Sequence, residues 1–306
     1  AFKLAKELKK SPQEIATELC EKINNENQTI SAKPLSGFIN ITINDDYLLT
    51  ELNHATKIEP IKTTETIILE FVSANPTGPL HIGHGRWAVI GDSLYRLLNL
   101  LNYNISTEFY INDAGNQINL FNDSISALRQ KKALPENGYG GQFIESLIEN
   151  ISENESNVDY TVNKQESTLN KLNCTFNQWF KESTLHETIN IKEELNQLLG
   201  SSIYEKDGAT WFKTSEFGDD KDRVLVKESG DLTYFATDII YHANKIKRGF
   251  KSIINIWGAD HHGYIKRMQA AITAINKQTK FKVILGQLVN LFENGNQIKM
   301  SKEVAG

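Results

Sequence analysis

The chain has 306 residues, 40% of them apolar and 23% charged, which is enough for a sizeable core in one large domain with something smaller beside it. No run of about 18 apolar residues occurs, and the start lacks the charged-then-apolar pattern of a signal peptide, so a membrane span is not expected and a cytoplasmic protein is. A formal charge of −5 excludes a surface that grips nucleic acid everywhere, while Cys20 and Cys174, in no Cys-x-x-Cys pattern, imply buried thiols rather than a disulfide framework or a zinc site.

In chain order, residues 2–8 and 12–23 have helical apolar spacing, with Ser11 as N-cap and Pro12 at the first helical position. Residues 38–43 alternate as a half-buried strand, 45–56 are helix-like, and a boundary falls near residues 60–63. A β-rich run at 66–72, a Pro/Gly-punctuated stretch at 74–80 and a helix at 83–101 follow. That helix carries Trp87, Ile90, Leu94, Leu97, Leu98 and Leu101 on one face, and residues 105–111 are the next strand. Strand, helix and strand in this order predict a βαβ crossover in a parallel sheet. The more polar stretch from about 118 to 201 reads as an insertion with helical segments at 143–150 and 162–179. The alternating pattern then resumes: strands at 210–213 and 223–226, a helix at 234–247, a strand at 253–257, a helix presenting Ile265, Met268, Ile272 and Ile275, and a strand at 281–285.

Two short motifs carry chemistry. His81-Ile82-Gly83-His84-Gly85 sets two histidines three apart where a helix opens, and free N–H groups at such a terminus suit phosphate. The imidazoles add donors that strengthen as charge grows on a phosphoryl group. By itself, His-x-x-His reads equally as a capping turn or a metal pair. Lys299-Met300-Ser301-Lys302 follows a Gly-containing loop at 293–296 and offers two ammonium groups suited to a polyphosphate leaving group. Alone it is a basic turn; paired with the histidines it is specific.

The two motifs resemble the HIGH and KMSK signatures of class I aminoacyl-tRNA synthetases. The longer strings Phe71-Val72-Ser73-Ala74-Asn75-Pro76-Thr77-Gly78-Pro79-Leu80-His81 and Tyr110-Ile111-Asn112-Asp113-Ala114-Gly115-Asn116-Gln117 resemble bacterial arginyl-tRNA synthetases in particular. So do Gly218-Asp219-Asp220-Lys221-Asp222-Arg223 and Trp257-Gly258-Ala259-Asp260-His261-His262-Gly263-Tyr264. The resemblance implies an α/β fold: a Rossmann-like class I synthetase catalytic domain at 62–306 with a helical insertion at about 118–201. Residues 1–61 would be part of a small α+β N-terminal domain. The chain begins with Ala1 rather than Met and stops soon after Lys302, so it reads as a fragment without the C-terminal anticodon-binding domain.

Site roles follow from the same resemblance. His81, His84, Lys299 and Lys302 would stabilise charge as arginine's carboxylate attacks the α-phosphorus of ATP, with Gly83, Gly85, Gly258, Asp260 and Ser301 around the nucleotide. Arginine itself would meet Ser73, Asn75, Glu182, Tyr234 and Asp238. The spacing of Tyr234 and Asp238 puts them on one helix face, and a carboxylate beside a hydroxyl suits a guanidinium fork. Some members carry glutamine where this chain has Ala259. Magnesium is expected with ATP, with no protein-held metal and no organic cofactor; His261 and His262 are adjacent and aim poorly at one ion. The implied partners are L-arginine, ATP and tRNA(Arg), for a monomer whose activation step needs tRNA. Basic clusters at 245–251 and at Lys3, Lys6, Lys9 and Lys10 are either tRNA contacts or solvated faces. The competing readings are another HIGH-type nucleotidyltransferase or synthetase, and a non-catalytic tRNA-binding relative.

Overall fold

Capping chemistry begins the chain. Ser11 and Glu14 form a reciprocal box, with Glu14 N–H donating to Ser11 Oγ at 3.2 Å and Ser11 N–H to Glu14 Oε2 at 2.9 Å. The box starts helix α2 (Pro12–Glu26), preceded by α1 (Phe2–Leu8) and followed by a hairpin of β1 (Ile30–Leu35) and β2 (Phe38–Ile43) and by α3 (Asp45–Ala55). The computed structural model describes residues 1–55, 60–287 and 289–298, and separates Ala1–Pro60 from Ile61–Gly306. In the first unit Ile15, Ala16 and Cys20 of α2 pack with Ala32 of β1, and Asn24 exchanges two hydrogen bonds with the Ala32 backbone. β1 was not anticipated because Pro34 interrupts it; a strand of a two-stranded hairpin tolerates a residue without an N–H.

The second unit is built on a five-stranded parallel sheet. Its strands are β3 (Thr66–Glu70), β4 (Asn104–Ile111), β5 (Gln178–Lys181), β9 (Ser252–Gly258) and β10 (Lys280–Gly286), in the order β10-β9-β3-β4-β5. Between β4 and β5 lie α5 (Asn116–Arg129), α6 (Gln142–Asn150) and α7 (Asn157–Lys171). The stretch expected as an insertion at 118–201 therefore holds an edge strand of the main sheet, and Val158, Val162 and Leu169 of α7 join the core formed by Leu69, Phe71 and Phe109. The helix expected to reach residue 179 stops at Lys171, and Asn173 beyond it takes a left-handed conformation. Four residues, Gln-Trp-Phe-Lys, are too few to show a strand's alternation.

After β5 come α8 (Ser183–Thr188) and α9 (Ile191–Leu199), then β6 (Ile203–Lys206), β7 (Ala209–Phe212) and β8 (Arg223–Val226). These three strands form a separate antiparallel sheet, so the strands expected at 210–213 and 223–226 do not continue the parallel one. The remaining elements are α10 (Tyr234–Lys247), α11 (Ile265–Ile275) and a hairpin of β11 (Leu291–Glu293) and β12 (Asn296–Ile298). Among the described residues no helix is long and apolar enough to cross a membrane.

Helix α4 (Ile82–Leu100) joins β3 to β4, and its buried residues are Gly83, Ala88 and Gly91. A Cβ on Gly91 would overlap the Phe71 ring, and one on Gly286 would overlap Trp87, so small residues permit the helix to lie close on the sheet. Of the residues the spacing puts on one face, Trp87 and Leu94 pack against the core, while Ile90 and Leu97 are exposed.

The opposite sheet face is polar at its centre. Asn255, Glu70, Glu108 and Gln178 stand in one register row across β9, β3, β4 and β5. Helix α10 answers them. Lys245, fully buried, places Nζ 2.5 Å from Glu70 Oε2 and 4.2 Å from the Tyr241 ring centroid. The Tyr241 hydroxyl donates to Glu108 Oε1 at 2.7 Å, and Arg248 lies 2.7 Å from Glu108 Oε2 and 2.5 Å from Gln178 Oε1. The basic cluster at 245–251 thus turns inward at Lys245, while Arg248, exposed as a residue, commits its guanidinium to Glu108 and Gln178. Removing one member of a buried ion pair leaves the other uncompensated. Lys245→Met should lower stability by roughly 3–5 kcal/mol, and Lys245→Met with Glu70→Gln should recover most of the loss. Urea unfolding followed by tryptophan fluorescence checks this; equal losses in the single and double variants would show that the two charges are uncoupled.

Candidate active site

The carboxyl ends of β3, β4 and β9 open on one rim, where a parallel sheet gathers its loops. Chain leaving β3 turns through Val72 and Ser73, whose φ values of 68° and 43° are left-handed. A β-branched residue rarely adopts this conformation, and the turn is held by side chains. Ser73 Oγ donates to Glu70 Oε1 at 3.1 Å and accepts from Tyr110 N–H at 3.1 Å. The Asn75 side chain is exposed, while its carbonyl and that of Gly78 accept from Gln165 Nε2 at 3.1 and 2.9 Å.

His81 then caps α4. Its Nδ1 accepts from Gly83 N–H at 3.1 Å and His84 N–H at 3.4 Å, and His84 Nδ1 accepts from His81 N–H at 3.2 Å. The N–H groups expected to be open for phosphate are therefore engaged by the motif itself. The rings stack with centroids 3.7 Å apart and planes 17° apart. Burial holds His81 below the usual histidine range, so its ring is neutral, and a neutral ring that accepts at Nδ1 carries its proton on Nε2. The same geometry in His84 leaves an Nε2–H there. With the Gly83 and His84 N–H groups turned onto His81 Nδ1, the Nε2–H of His81 is a donor the motif can offer an incoming phosphate. Gly85 has open space at its missing side chain, with only Ile82 as near as 3.9 Å.

A second group of residues surrounds Asp238. Thr233 caps α10, accepting from Ala236 N–H at 3.3 Å, and Asp238 lies one turn inside. Its carboxyl accepts a short hydrogen bond from the Tyr264 hydroxyl. Burial, reinforced by the charges of Glu70 and Glu182, pushes Asp238 up to about 7 against that bond. Glu182 is also held above the usual carboxylate range by burial, with Tyr110 and His186 as hydrogen-bond partners that oppose the rise. In the amide orientation that satisfies both its polar atoms, Asn112 Nδ2 donates to Glu182 Oε2 at 3.0 Å. Tyr110 and Tyr264 are both driven far above the usual phenol range by burial and the neighbouring carboxylates, so both remain donors. A cavity of about 310 Å³ beside this group is lined by Asn112, Gly115, Glu182, His186, Tyr234 and Thr237.

The structure thus brings Glu182 and Asp238 into one acidic, phenol-lined neighbourhood, with Tyr234 on the cavity's border. Tyr234 itself is 84% exposed. Gly258 and Asp260 lie at the end of β9 and on the following turn; Asp260 is exposed, 3.5 Å from His261, and its carboxyl folds back over Gly258. They do not line the cavity around Glu182. Lys299, Ser301 and Lys302 lie outside the described residues; the β11–β12 hairpin, turning through Asn294 and Gly295, carries the chain to their threshold. Reasoning on the sequence missed Gln165, Tyr110, Tyr264 and Asn112. Three of these lay within the quoted strings, but nothing in the sequence marked them as facing one carboxylate pair.

Residues 48–139 match the family model for the catalytic domain of class I tRNA synthetases (R), and residues 1–43 that for the arginyl-tRNA synthetase N-terminal domain. The chain is 40% identical to the arginine–tRNA ligase of Bacillus velezensis over 335 residues, covering 99% of this chain and 60% of the relative. It is 42% identical to that of Listeria welshimeri at the same coverages. A solved Campylobacter jejuni structure described as an arginyl-tRNA synthetase superposes with a TM-score of 0.71 at 36% identity, covering 86% of this chain and 64% of that one. The Thermus thermophilus arginyl-tRNA synthetase shares the fold, with a TM-score of 0.65 at 21% identity over 94% of this chain and 59% of that one. The chain spans about 60% of the length of the curated relatives it matches. With residues 1–43 and 48–139 matched by the models of one family and 40% identity over 99% of its own length, the chain belongs to the arginyl-tRNA synthetases.

Proposed function

We propose that this chain carries the amino-acid activation site of an arginine–tRNA ligase, which joins L-arginine to ATP and passes the arginyl group to tRNA(Arg). The observation that carries the reading is the half-buried Asp238 near the buried Glu182, an acidic, phenol-lined site beside a cavity of side-chain size. Such a site is unfavourable until a cation enters it, and a guanidinium supplies charge together with five N–H donors. Asn75 is assigned to the substrate's main-chain groups. Ser73, whose hydroxyl is engaged on both sides, shapes the loop, and Tyr234 would complete the pocket by turning inward.

In the reaction, an oxygen of arginine's carboxylate bonds to the α-phosphorus of ATP as the bond from that phosphorus to the β-bridging oxygen breaks. Pyrophosphate departs with the electron pair. Nε2–H donors of His81 and His84 face the developing negative charge, and Lys299, Ser301 and Lys302 are assigned to the departing phosphates. Gly258 and Asp260 are assigned to the adenosine. Magnesium enters with ATP as part of the substrate. The reading includes a monomer acting in the cytoplasm, in which residues 1–61 serve tRNA contact and 62–306 catalysis.

Arginine-dependent ATP–pyrophosphate exchange by the full-length protein, with and without tRNA, tests it. Exchange driven by glutamate or cysteine but not arginine would overturn it, as would tRNA binding without adenylation of any amino acid. Asp238→Asn should raise the arginine KM by about a hundredfold or more, the cost of unpairing a buried charge, while the ATP KM stays within about twofold.

Protonation gives a second check. The guanidinium binds the carboxylate form, and the free site holds its proton up to about pH 7. Arginine affinity should therefore rise by up to about tenfold per pH unit from pH 6 toward 7 and level off above; isothermal titration across that range measures it, and Asp238→Asn should flatten the profile. Stability runs the other way. A folded-state value above the unfolded one favours the fold fully at low pH, and that contribution is lost as pH rises through about 7. Asp238→Asn should thus raise Tm relative to wild type more at pH 8 than at pH 4.5, and a constant offset would argue against a buried, raised carboxyl.

A further inference from the structure

We propose that Gln165 is a positioning residue for arginine activation, fixing from α7 the loop that presents Asn75 at one end and delivers His81 at the other. The proposal rests on the reading of Asn75 given above. Gln165 is 1% exposed and lies between Val162 and Leu169 on the face of α7 that packs into the core beneath the sheet. Its one amide group spans the loop, donating to the carbonyls of Asn75 and Gly78. That loop is poorly able to hold itself. Pro76 and Pro79 have no N–H to give, and the chain enters through two left-handed residues, Val72 and Ser73.

The amide's orientation has one solution, because a flip would set its oxygen against two carbonyl oxygens. In the orientation adopted, Gln165 Oε1 is buried without a hydrogen-bond partner among the described residues. An apolar side chain of the same length would avoid that uncompensated burial, so packing alone does not account for glutamine on this face. What the residue supplies is two directed N–H groups. Gly78 is three residues from His81, so a shift at its carbonyl passes directly to the helix cap and the stacked imidazoles. A displacement of about 1 Å at such groups can cost around a hundredfold in rate.

The test uses Gln165→Met, which keeps length and packing and removes both donors, in the full-length protein. Hydrogen exchange at residues 73–81 should accelerate about tenfold or more while the amides of β3, β4 and β9 keep wild-type protection. Pyrophosphate exchange should show a higher arginine KM and a lower kcat with the ATP KM within about twofold. The arginine effect should shrink in an Asn75→Ala background, because the two substitutions remove one interaction. Unchanged exchange in the loop, or acceleration spread evenly through the sheet, would overturn the clamp. Local acceleration with an unaltered arginine KM would overturn the positioning role. If wild-type protein activates no arginine, the functional reading fails, and the exchange data still decide whether Gln165 holds the loop.

Discussion

The buried pair of Glu70 and Lys245 governs how the catalytic unit is put together. Parallel sheets covered on both faces are usually apolar throughout. Here one face is crossed by Asn255, Glu70, Glu108 and Gln178, and the helix laid over it has to match that row with Lys245, Tyr241 and Arg248. A charge pair is far less tolerant of rotation or slip than an apolar contact, so the pair fixes both the register and the rotation of α10. Asp238 lies seven residues before Lys245, two turns away on the same face. Setting the lysine therefore sets the aspartate at the rim of the sheet, where Tyr264 and the neighbourhood of Glu182 meet it.

The other half of the site is organised by hydrogen bonds that each do two jobs. In the HIGH motif the Nδ1 atoms close the helix terminus, and for His81 this turns the ring's proton to Nε2. Ser73 similarly ties β3 to β4 while shaping the loop above them. Such economy makes the structural and chemical effects of a substitution hard to separate, which is why residues one step back from the reacting atoms are the informative ones to change.

How far the sequence carries depends on whether a residue's role is expressed locally. The strand, loop and helix around the HIGH motif announce themselves through spacing and turn chemistry, and α10 is legible at both ends because Thr233 caps it and its apolar spacing stops at Lys247. Lys245 misleads for the opposite reason: in a run with Lys247, Arg248 and Lys251 it looks like a basic surface, and only the acid on a strand 175 residues earlier turns it inward. The strand β5 is too short to alternate, and β1 is masked by its proline. Gln165 leaves no mark at all, since a polar residue among polar residues carries no pattern until the carbonyls it serves are in place. On α4 the apolar face read from spacing contributes Trp87 and Leu94 to the core, whereas the buried residues that allow close contact with the sheet are Gly83, Ala88 and Gly91, which apolar spacing does not mark.

The raised pKa of Asp238 gives the site beside the cavity a character that its shape does not. A carboxyl that titrates near neutrality keeps its proton in about half of the molecules there, and presents water and neutral molecules with a wall of reduced charge. An uncharged isostere of arginine, with a urea in place of the guanidinium, would meet the protonated wall and gain a hydrogen bond and little more. A cation of the same outline would expel the proton and meet a full negative charge in a poorly screened site. Discrimination of this kind is exercised by the ligand's own basicity, so the wall becomes an ion pair only for the guest that can ionise it.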